Sequence, residues 1–469
     1  MPRYIKHIKA EGVLGRFDID QEFREGVNVL YGKNGTGKTT LLHILANLLN
    51  GDYERFAFTE FKMIEAILDD HTTIVVSKHK LDTDSLIDVI INNEKITGSI
   101  SVNAIQKHKF SRELDAEKNR VLGQSLSFDD RDIEPIFHTK PILPVAYFPS
   151  FRTMLEAWAS TKSRMMEMWF DLSHMQNLST DFARELFGSF VPSLNYPSPL
   201  EIERELSQEI DEALLKMARA DREHFGTLLP NIFEVLSKDS QLSEYDSSLG
   251  KEGSDAIFEE IDSLVQKLED YPLKTAPAIT QLRYSVSSFQ VDEQSKRIAA
   301  KVLDIYRKAL REVVSIQEES FKTIETYLKS VNSFLEEKTI EISLTEPKGE
   351  TSVGIKFKSG QPDHHLSIRR ALSSGERQIV TLIYAATHMS KQQVVLIDEP
   401  EISLHVDWQR HLLKKMSEQL GERQIIVCTH SPVIGADYED EVIIFEPKIT
   451  CASDSIMNEN ISDDDNEEF

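Results

Sequence analysis

Apolar and polar positions along the chain fall into three textures. Up to about residue 80, short apolar runs alternate with turns, the pattern of a strand-rich segment. Val27-Asn28-Val29-Leu30-Tyr31 is one such run and Thr73-Ile74-Val75-Val76 is another. Between them, Leu41-Leu42-His43-Ile44-Leu45-Ala46 has helical spacing. Leu86-Ile87-Asp88-Val89-Ile90-Ile91 and Ile96-Thr97-Gly98-Ser99-Ile100 flank Asn92-Asn93, which predicts a hairpin. Pro141-Ile142-Leu143-Pro144-Val145-Ala146-Tyr147-Phe148 reads as a further buried strand, ending at Pro149-Ser150-Phe151-Arg152.

From about 153 to 338 strand signals fade and helical periodicity takes over. Ile298, Val302, Ile305, Ala309, Val313, Ile316, Ile324, Leu328, Val331 and Leu335 follow spacings of three and four, and so define one stripe of a long helix. It reads either as a coiled-coil arm or as a helix packed in a helical domain. The second is favoured, because no antiparallel partner of equal length is evident. Asp239 to Gly253 is polar and turn-rich, a loop. Strand character returns at Ile340-Glu341-Ile342-Ser343-Leu344, turns at Lys348-Gly349-Glu350, and resumes at Val353-Gly354-Ile355-Lys356-Phe357. No internal repeat is present. The textures predict an α/β chain with an N-terminal lobe at 1–152, a helical insertion at 153–338, a C-terminal lobe at 339–449 and a tail at 450–469.

Candidate chemistry begins right after the first apolar run. Gly32-Lys33-Asn34-Gly35-Thr36-Gly37-Lys38-Thr39 is a complete G-x-x-x-x-G-K-[ST] loop between a strand and a helix. Its glycines let backbone N–H groups approach a polyphosphate, and the following helix N-terminus, with Thr40 in its first turn, favours an anion. In such a loop Lys38 reaches the β- and γ-phosphates and the Thr39 hydroxyl ligates Mg²⁺.

Composition narrows the class. The 469 residues carry 40% hydrophobic and 28% charged residues, ordinary for a globular protein of two or three domains. No apolar run reaches the roughly 18–20 residues of a membrane helix. With no apolar signal core at Met1-Pro2-Arg3-Tyr4, and only Cys428 and Cys451, the expected compartment is the cytoplasm, without a disulfide framework. The formal charge of −25 argues against a chain whose main surface grips nucleic acid, although a local basic patch is compatible with it. After Lys448, acids accumulate at Asp454, Glu459, Asp463, Asp464, Asp465, Glu467 and Glu468. They read as a solubilising tail or as an acidic docking peptide.

Three further motifs stand in the C-terminal lobe. Val394-Val395-Leu396-Ile397-Asp398-Glu399-Pro400 is an apolar strand ending in two carboxylates. Asp398 suits a Mg²⁺ ligand and Glu399 suits polarising a water. Leu372-Ser373-Ser374-Gly375-Glu376-Arg377-Gln378 places a serine and a glycine at a helix start. By itself this is also what a capped helix looks like. Ile425-Ile426-Val427-Cys428-Thr429-His430-Ser431-Pro432 is a strand ending in a histidine.

Taken in order, the four motifs resemble those of ABC-type ATPases. The resemblance covers roughly residues 1–150 and 340–449. It implies an ABC-ATPase head, two β lobes on a P-loop α/β core, interrupted by the helical insertion. It makes Ser373, Ser374, Gly375 and Glu376 the signature, with Ser374 and Glu376 replacing the family's central Gly and its Gln. His430 becomes the switch histidine on the γ-phosphate, and Glu401-Ile402-Ser403-Leu404-His405 the loop that crosses a dimer interface. Because the signature of one subunit completes the site of the other, the resemblance implies a homodimer holding two ATP with Mg²⁺.

Lys38 and Ser373 are separated by 334 residues, far more than in transporter subunits. LSSGERQ, LIDEPEISLH and THSP look most like the overcoming-lysogenization-defect branch. The chain is too short after its last strand for that branch's nuclease domain, so it resembles the stand-alone ATPase subunits of two-gene anti-phage systems such as PARIS and Septu. That implies a separate nuclease effector and a phage-encoded trigger. The alternative is an SMC/RecF-like repair ATPase that binds DNA directly.

Overall fold

The computed structural model describes residues 4–81, 84–96, 98–110, 139–152, 154–155, 172–228, 230, 232–233, 254–269, 293–345, 350–359, 366–389 and 393–450. These form two compact units, Met1–Ser198 with Ser373–Phe469, and Pro199–Leu372. The predicted loop Asp239–Gly253, the turn residues Lys348 and Gly349, and the acidic tail from 451 onward lie outside the described residues.

The first unit opens with β1 (Ile5–Val13) and β2 (Phe17–Glu22), joined by a turn in which Leu14 and Gly15 both have positive φ. β3 (Val27–Tyr31) runs into the glycine loop, and α1 (Lys38–Leu49) starts at its end. β4 (Met63–Leu68), β5 (Thr73–Leu81) and β6 (Asp84–Ile91) follow, with β7 (Glu94–Lys95) and β8 (Ile100–Ser101) both pairing with β6. The β6–β7 turn is the Asn92-Asn93 pair, at φ 49° and 66°, the left-handed geometry that a two-residue hairpin needs and asparagine tolerates. β9 (Val145–Phe148) is buried throughout.

α2 (Leu172–Phe187) and the segment after it stay with this unit. Compactness therefore divides the chain at 199 and 373, whereas sequence texture changes at 153 and 339. The reason is local. Asn47 of α1 donates to the Phe190 carbonyl, Arg184 pairs with Asp52, and Tyr196 stacks on Phe148 at 4.8 Å.

The second unit holds α3 (Pro199–Gly226), α4 (Ser254–Glu269) and the 40-residue α5 (Glu293–Asn332). Ile257, Ile261, Leu264, Val265 and Leu268 of α4 meet Leu303, Tyr306, Leu310, Val313 and Val314 of α5 in one core. Glu260 ties the same helices by ion pairs to Arg307 at 3.0 Å and Arg311 at 2.5 Å. The buried stripe of α5 is turned slightly from the predicted one. Leu303, Tyr306, Leu310, Gln317, Phe321 and Tyr327 are buried, while Val302, Ile305, Ile316 and Leu328 are only half-buried. β10 (Lys338–Thr345) and β11 (Glu350–Phe357) form an antiparallel hairpin in register Ile340↔Ile355 that packs on α3, which places it in the helical unit.

The chain then returns to the first unit with α6 (Ser374–Thr387), β12 (Val394–Asp398), α7 (Val406–Leu420), β13 (Gln424–Thr429), β14 (Val442–Ile444) and β15 (Lys448–Ile449). Two sheets result. Eight strands form one, in the order β15-β2-β1-β4-β5-β6-β7 with β8 also on β6, and its known pairs are antiparallel. The other is five-stranded and wholly parallel, β14-β3-β13-β12-β9. Every residue of β9, β12 and β13 is buried, as expected for strands covered on both faces. Because all five run the same way, their C-terminal ends share one edge. That edge receives the glycine loop, Asp398-Glu399, Thr429-His430 and the segment leading to Arg152.

Candidate functional site

Two glycines shape the loop after β3. Gly37 has φ 91°, a left-handed conformation that releases the chain into α1, and the Leu41 N–H closes the first helical turn on the Gly37 carbonyl. At Gly32 a Cβ would lie 2.9 Å from the Phe445 carbonyl oxygen, so no side chain fits without a shift. Lys33, Asn34 and Gly35 form the exposed crest, pinned by the Thr36 hydroxyl donating to the Lys33 carbonyl at 2.9 Å. Thr40 sits half-buried in the first turn of α1.

Lys38 is buried, and its ammonium donates to the carbonyls of Gly32 (2.7 Å) and Lys33 (3.0 Å). It also lies 3.3 Å from both ring nitrogens of His430. Burial holds its pKa below the ordinary lysine value, against the field of nearby acids including Glu399, Asp398 and Glu401. His430 Nε2 is 2.9 Å from Glu399 Oε1. One tautomer fits both contacts: Nε2–H donates to Glu399 while Nδ1 faces the ammonium. The Thr39 hydroxyl donates to Asp398 Oδ2 at 2.9 Å. Lys38, Thr39, Asp398, Glu399 and His430, drawn from three separate stretches of sequence, thus form one connected cluster.

Asp398 is 1% exposed, and burial raises its pKa, offset in part by the Thr39 hydroxyl. Among the described residues its Oδ1 is buried without a hydrogen-bond partner. An orphan carboxylate oxygen beside a threonine hydroxyl fits a hard divalent cation. Mg²⁺ in particular takes few protein ligands and fills the rest of its shell with water and phosphate oxygens. Among the described residues no cluster of three or more His, Cys, Asp or Glu offers an all-protein metal cage.

Two residues hold this edge from behind. Arg152, 1% exposed, donates through Nη1 to the Pro149 and Asp398 carbonyls (2.8 and 3.0 Å) and through Nη2 to the Glu399 carbonyl (3.1 Å). It clamps the backbone where Glu399 takes φ 47°, a left-handed conformation unusual outside glycine. Glu401 presents Oε1 to the Thr429 hydroxyl and to the N–H groups of His430 and Ser431. The sequence marked Arg152 only as the end of a strand at a proline turn, and Glu401 only as the start of the loop after Pro400; neither position announced a hydrogen bond to the backbone.

Ser373, Ser374, Gly375 and Glu376 form a separate group. Ser373 is the N-cap of α6 in a capping box: its hydroxyl accepts from the Glu376 N–H, and the Glu376 carboxylate accepts from the Ser373 N–H at 2.6 Å. Ser373 and Ser374 are exposed, and Gly375 is buried so tightly that a Cβ would overlap the Ser403 carbonyl oxygen. No hydrogen bond among the described residues joins Ser373 to the glycine loop. No described helix is long and apolar enough to cross a membrane.

Residues 16–434 match the AAA_15 family, an AAA ATPase domain. The retron Vc95 probable ATPase of Vibrio cholerae serotype O1 biovar El Tor is 21% identical over 403 residues, spanning 83% of this chain and 71% of that protein. Among solved structures, the Smc head domain with an extended coiled coil bound to the C-terminal domain of ScpA, from Pyrococcus furiosus, aligns at TM-score 0.38 and 14% identity over 96% of each chain. The recombination mediator protein RecF aligns at TM-score 0.34 and 13% identity, over 95% of this chain and 98% of its own.

Proposed function

The chain belongs to the AAA_15 family of AAA ATPase domains, and on that premise we propose that it hydrolyses ATP with Mg²⁺ at the parallel-sheet edge, as a homodimer serving a defence system. The observation that carries this reading is the cluster itself: Thr39 on Asp398, Glu399 on His430, and Lys38 against His430, all at the ends of neighbouring parallel strands.

The β- and γ-phosphates lie in the loop from Gly32 to Thr39, with the Lys38 ammonium as their counter-charge. Thr39 and Asp398 would hold Mg²⁺, which would supply positive charge to the phosphate oxygens. The Glu399 carboxylate orients the attacking water and takes up its proton, helped by the fixed direction that Arg152 and His430 impose on it. His430 steadies the γ-phosphate.

Ser373 and Gly375 of a second copy complete the site. The exposed Ser373 hydroxyl and the N–H groups at the start of α6 favour an anion there. In this reading the two copies close on ATP and open after hydrolysis, and that cycle holds or releases a separate nuclease effector in the cytoplasm when a phage product is sensed. The likeness to a retron ATPase supports the defence association.

Glu399→Gln keeps the size and loses the base. ATP binding is expected within about threefold of wild type, and kcat is expected to fall at least about 100-fold. Unchanged turnover, measured as phosphate release, refutes the assignment. Strong stimulation of the wild-type chain by bare DNA, with no partner present, refutes the defence role in favour of DNA maintenance.

A further inference from the structure

We propose that Glu401 is a positioning residue that sets the direction of the His430 ring and joins its loop to the one packed on the signature helix. This rests on the ATPase reading above and adds a residue to it.

One carboxylate oxygen does the joining. Glu401 Oε1 accepts from the Thr429 hydroxyl at 2.6 Å, the His430 N–H at 2.8 Å and the Ser431 N–H at 3.0 Å. Three donors on one anionic oxygen form an anion-holding nest, here filled by the protein's own side chain. The backbone of His430 is thereby fixed at its nitrogen, and Ser431 is fixed a second time by its hydroxyl donating to Gln409 at 2.8 Å. Among the described residues no hydrogen bond joins Glu401 to Lys38 or to the His430 ring. Its reach into the chemistry runs through the His430 backbone.

On its other side Glu401 belongs to a tight turn. The Leu404 N–H donates to the Glu401 carbonyl at 3.0 Å, and the Ile402 N–H to the Glu399 carbonyl at 3.3 Å. Ser403 within that turn has φ 66° and is the residue against which Gly375 packs without room for a Cβ. Gln378 of α6 donates to the Pro400 carbonyl at 2.5 Å, a second tie between the turn and the helix. The Glu401 carboxylate thus links the loop of His430 to the loop that braces Gly375, beside a second bridge in which Gln409 accepts from the Ser431 hydroxyl and donates to the Leu404 carbonyl at 3.0 Å.

A double-mutant cycle tests it, with full-length chain, Mg²⁺–ATP and phosphate release. Glu401→Ala is expected to lower kcat about tenfold to 100-fold while KM and ATP affinity stay within about threefold. Glu401→Gln, which retains an acceptor oxygen, is expected to recover most of the rate. In the His430→Ala background, Glu401→Ala is expected to cost less than about twofold more, because it acts through a ring already removed. Multiplying losses in the double variant overturn the proposal, since Glu401 then acts independently of His430. Equal inactivation by Glu401→Gln and Glu399→Gln also overturns it, because the carboxylate would be doing base chemistry. If Glu401→Ala fails to fold, Glu401→Met, which fills the same space without an acceptor oxygen, carries the same comparison in the wild-type and His430→Ala backgrounds. Failure of the ATPase reading is recognised separately, by wild-type turnover that survives Glu399→Gln.

Discussion

The two groups of motif residues are built in opposite ways. At the sheet edge, Lys38, Thr39, Asp398, Glu399 and His430 touch one another, and the carbonyls and N–H groups behind them are held by Arg152 and Glu401. At the start of α6, Ser373 is exposed and hydrogen-bonds within its own capping box. One group is tied together by its own hydrogen bonds, and the other is a surface element with a helix dipole behind it. The difference fits the proposed division of labour, in which the first half catalyses within the chain and the second is offered to a second copy.

The strongest way to break that comparison is complementation. Ser373→Arg should leave ATP binding intact and remove hydrolysis, and Lys38→Ala should remove both. Mixed, the two inactive proteins are expected to regain roughly a quarter of wild-type turnover, since half of random dimers are mixed and each holds one intact composite site. No recovery in the mixture would mean that the signature group does not act in trans.

A second test weakens the first half from behind. Arg152→Ala removes the guanidinium donor from the Asp398 carbonyl and leaves the Glu399 carbonyl with the Ile402 N–H alone, and is expected to cost about 2 kcal/mol in a denaturant melt, with kcat falling further than KM changes. A surface-like cost below about 0.5 kcal/mol would show that the clamp is not structural.

Asp398 gives a sharper signature, because its charge disfavours the fold. Burial raises its carboxyl pKa above the ordinary value of 3.8, so the ionised form penalises the folded state. That penalty is absent below the unfolded value and grows as pH rises through the folded one. Without Mg²⁺ and nucleotide, Asp398→Asn is therefore expected to melt above wild type at pH 7, and the gap should close as pH approaches about 4. With Mg²⁺–ATP the order should reverse, because the Asn variant loses the cation.

The smallest effect serves as a control in the helical unit. Gln317 is 2% exposed, and among the described residues neither of its amide atoms has a hydrogen-bond partner. Gln317→Leu is expected to stabilise the protein by about 1 kcal/mol in a thermal melt while leaving ATP turnover unchanged.

How far the sequence revealed this depends on which physical signal each feature leaves. β3, β12 and β13 were legible as apolar runs, because a parallel strand is covered on both faces. Their lateral order was not, since nothing local in β13 announces that it slots between β3 and β12. The stripe of α5 was found with its phase slightly off: apolarity alone selected Val302, Ile305 and Ile316, whereas bulk and packing bury Tyr306, Gln317 and Tyr327. At the candidate site, residues of distinctive chemistry at fixed spacing were legible. Arg152 and Glu401 act largely on backbone groups, which every sequence contains, and their roles appear only in three dimensions.

The parallel sheet also sets a timetable for making the protein. β3 pairs on one side with β13 and on the other with β14, and Gln424 at the start of β13 hydrogen-bonds the Ile5 backbone across 419 positions of sequence. At ~5–20 residues per second, the ribosome takes roughly 20–80 s to deliver that partner after β1 emerges. Throughout that interval the glycine loop hangs from a strand with no neighbour in its sheet. The loop therefore gains its sheet neighbours only once residues 424–444 have been translated, and the unpaired β3 is the segment a chaperone would be expected to shield until then.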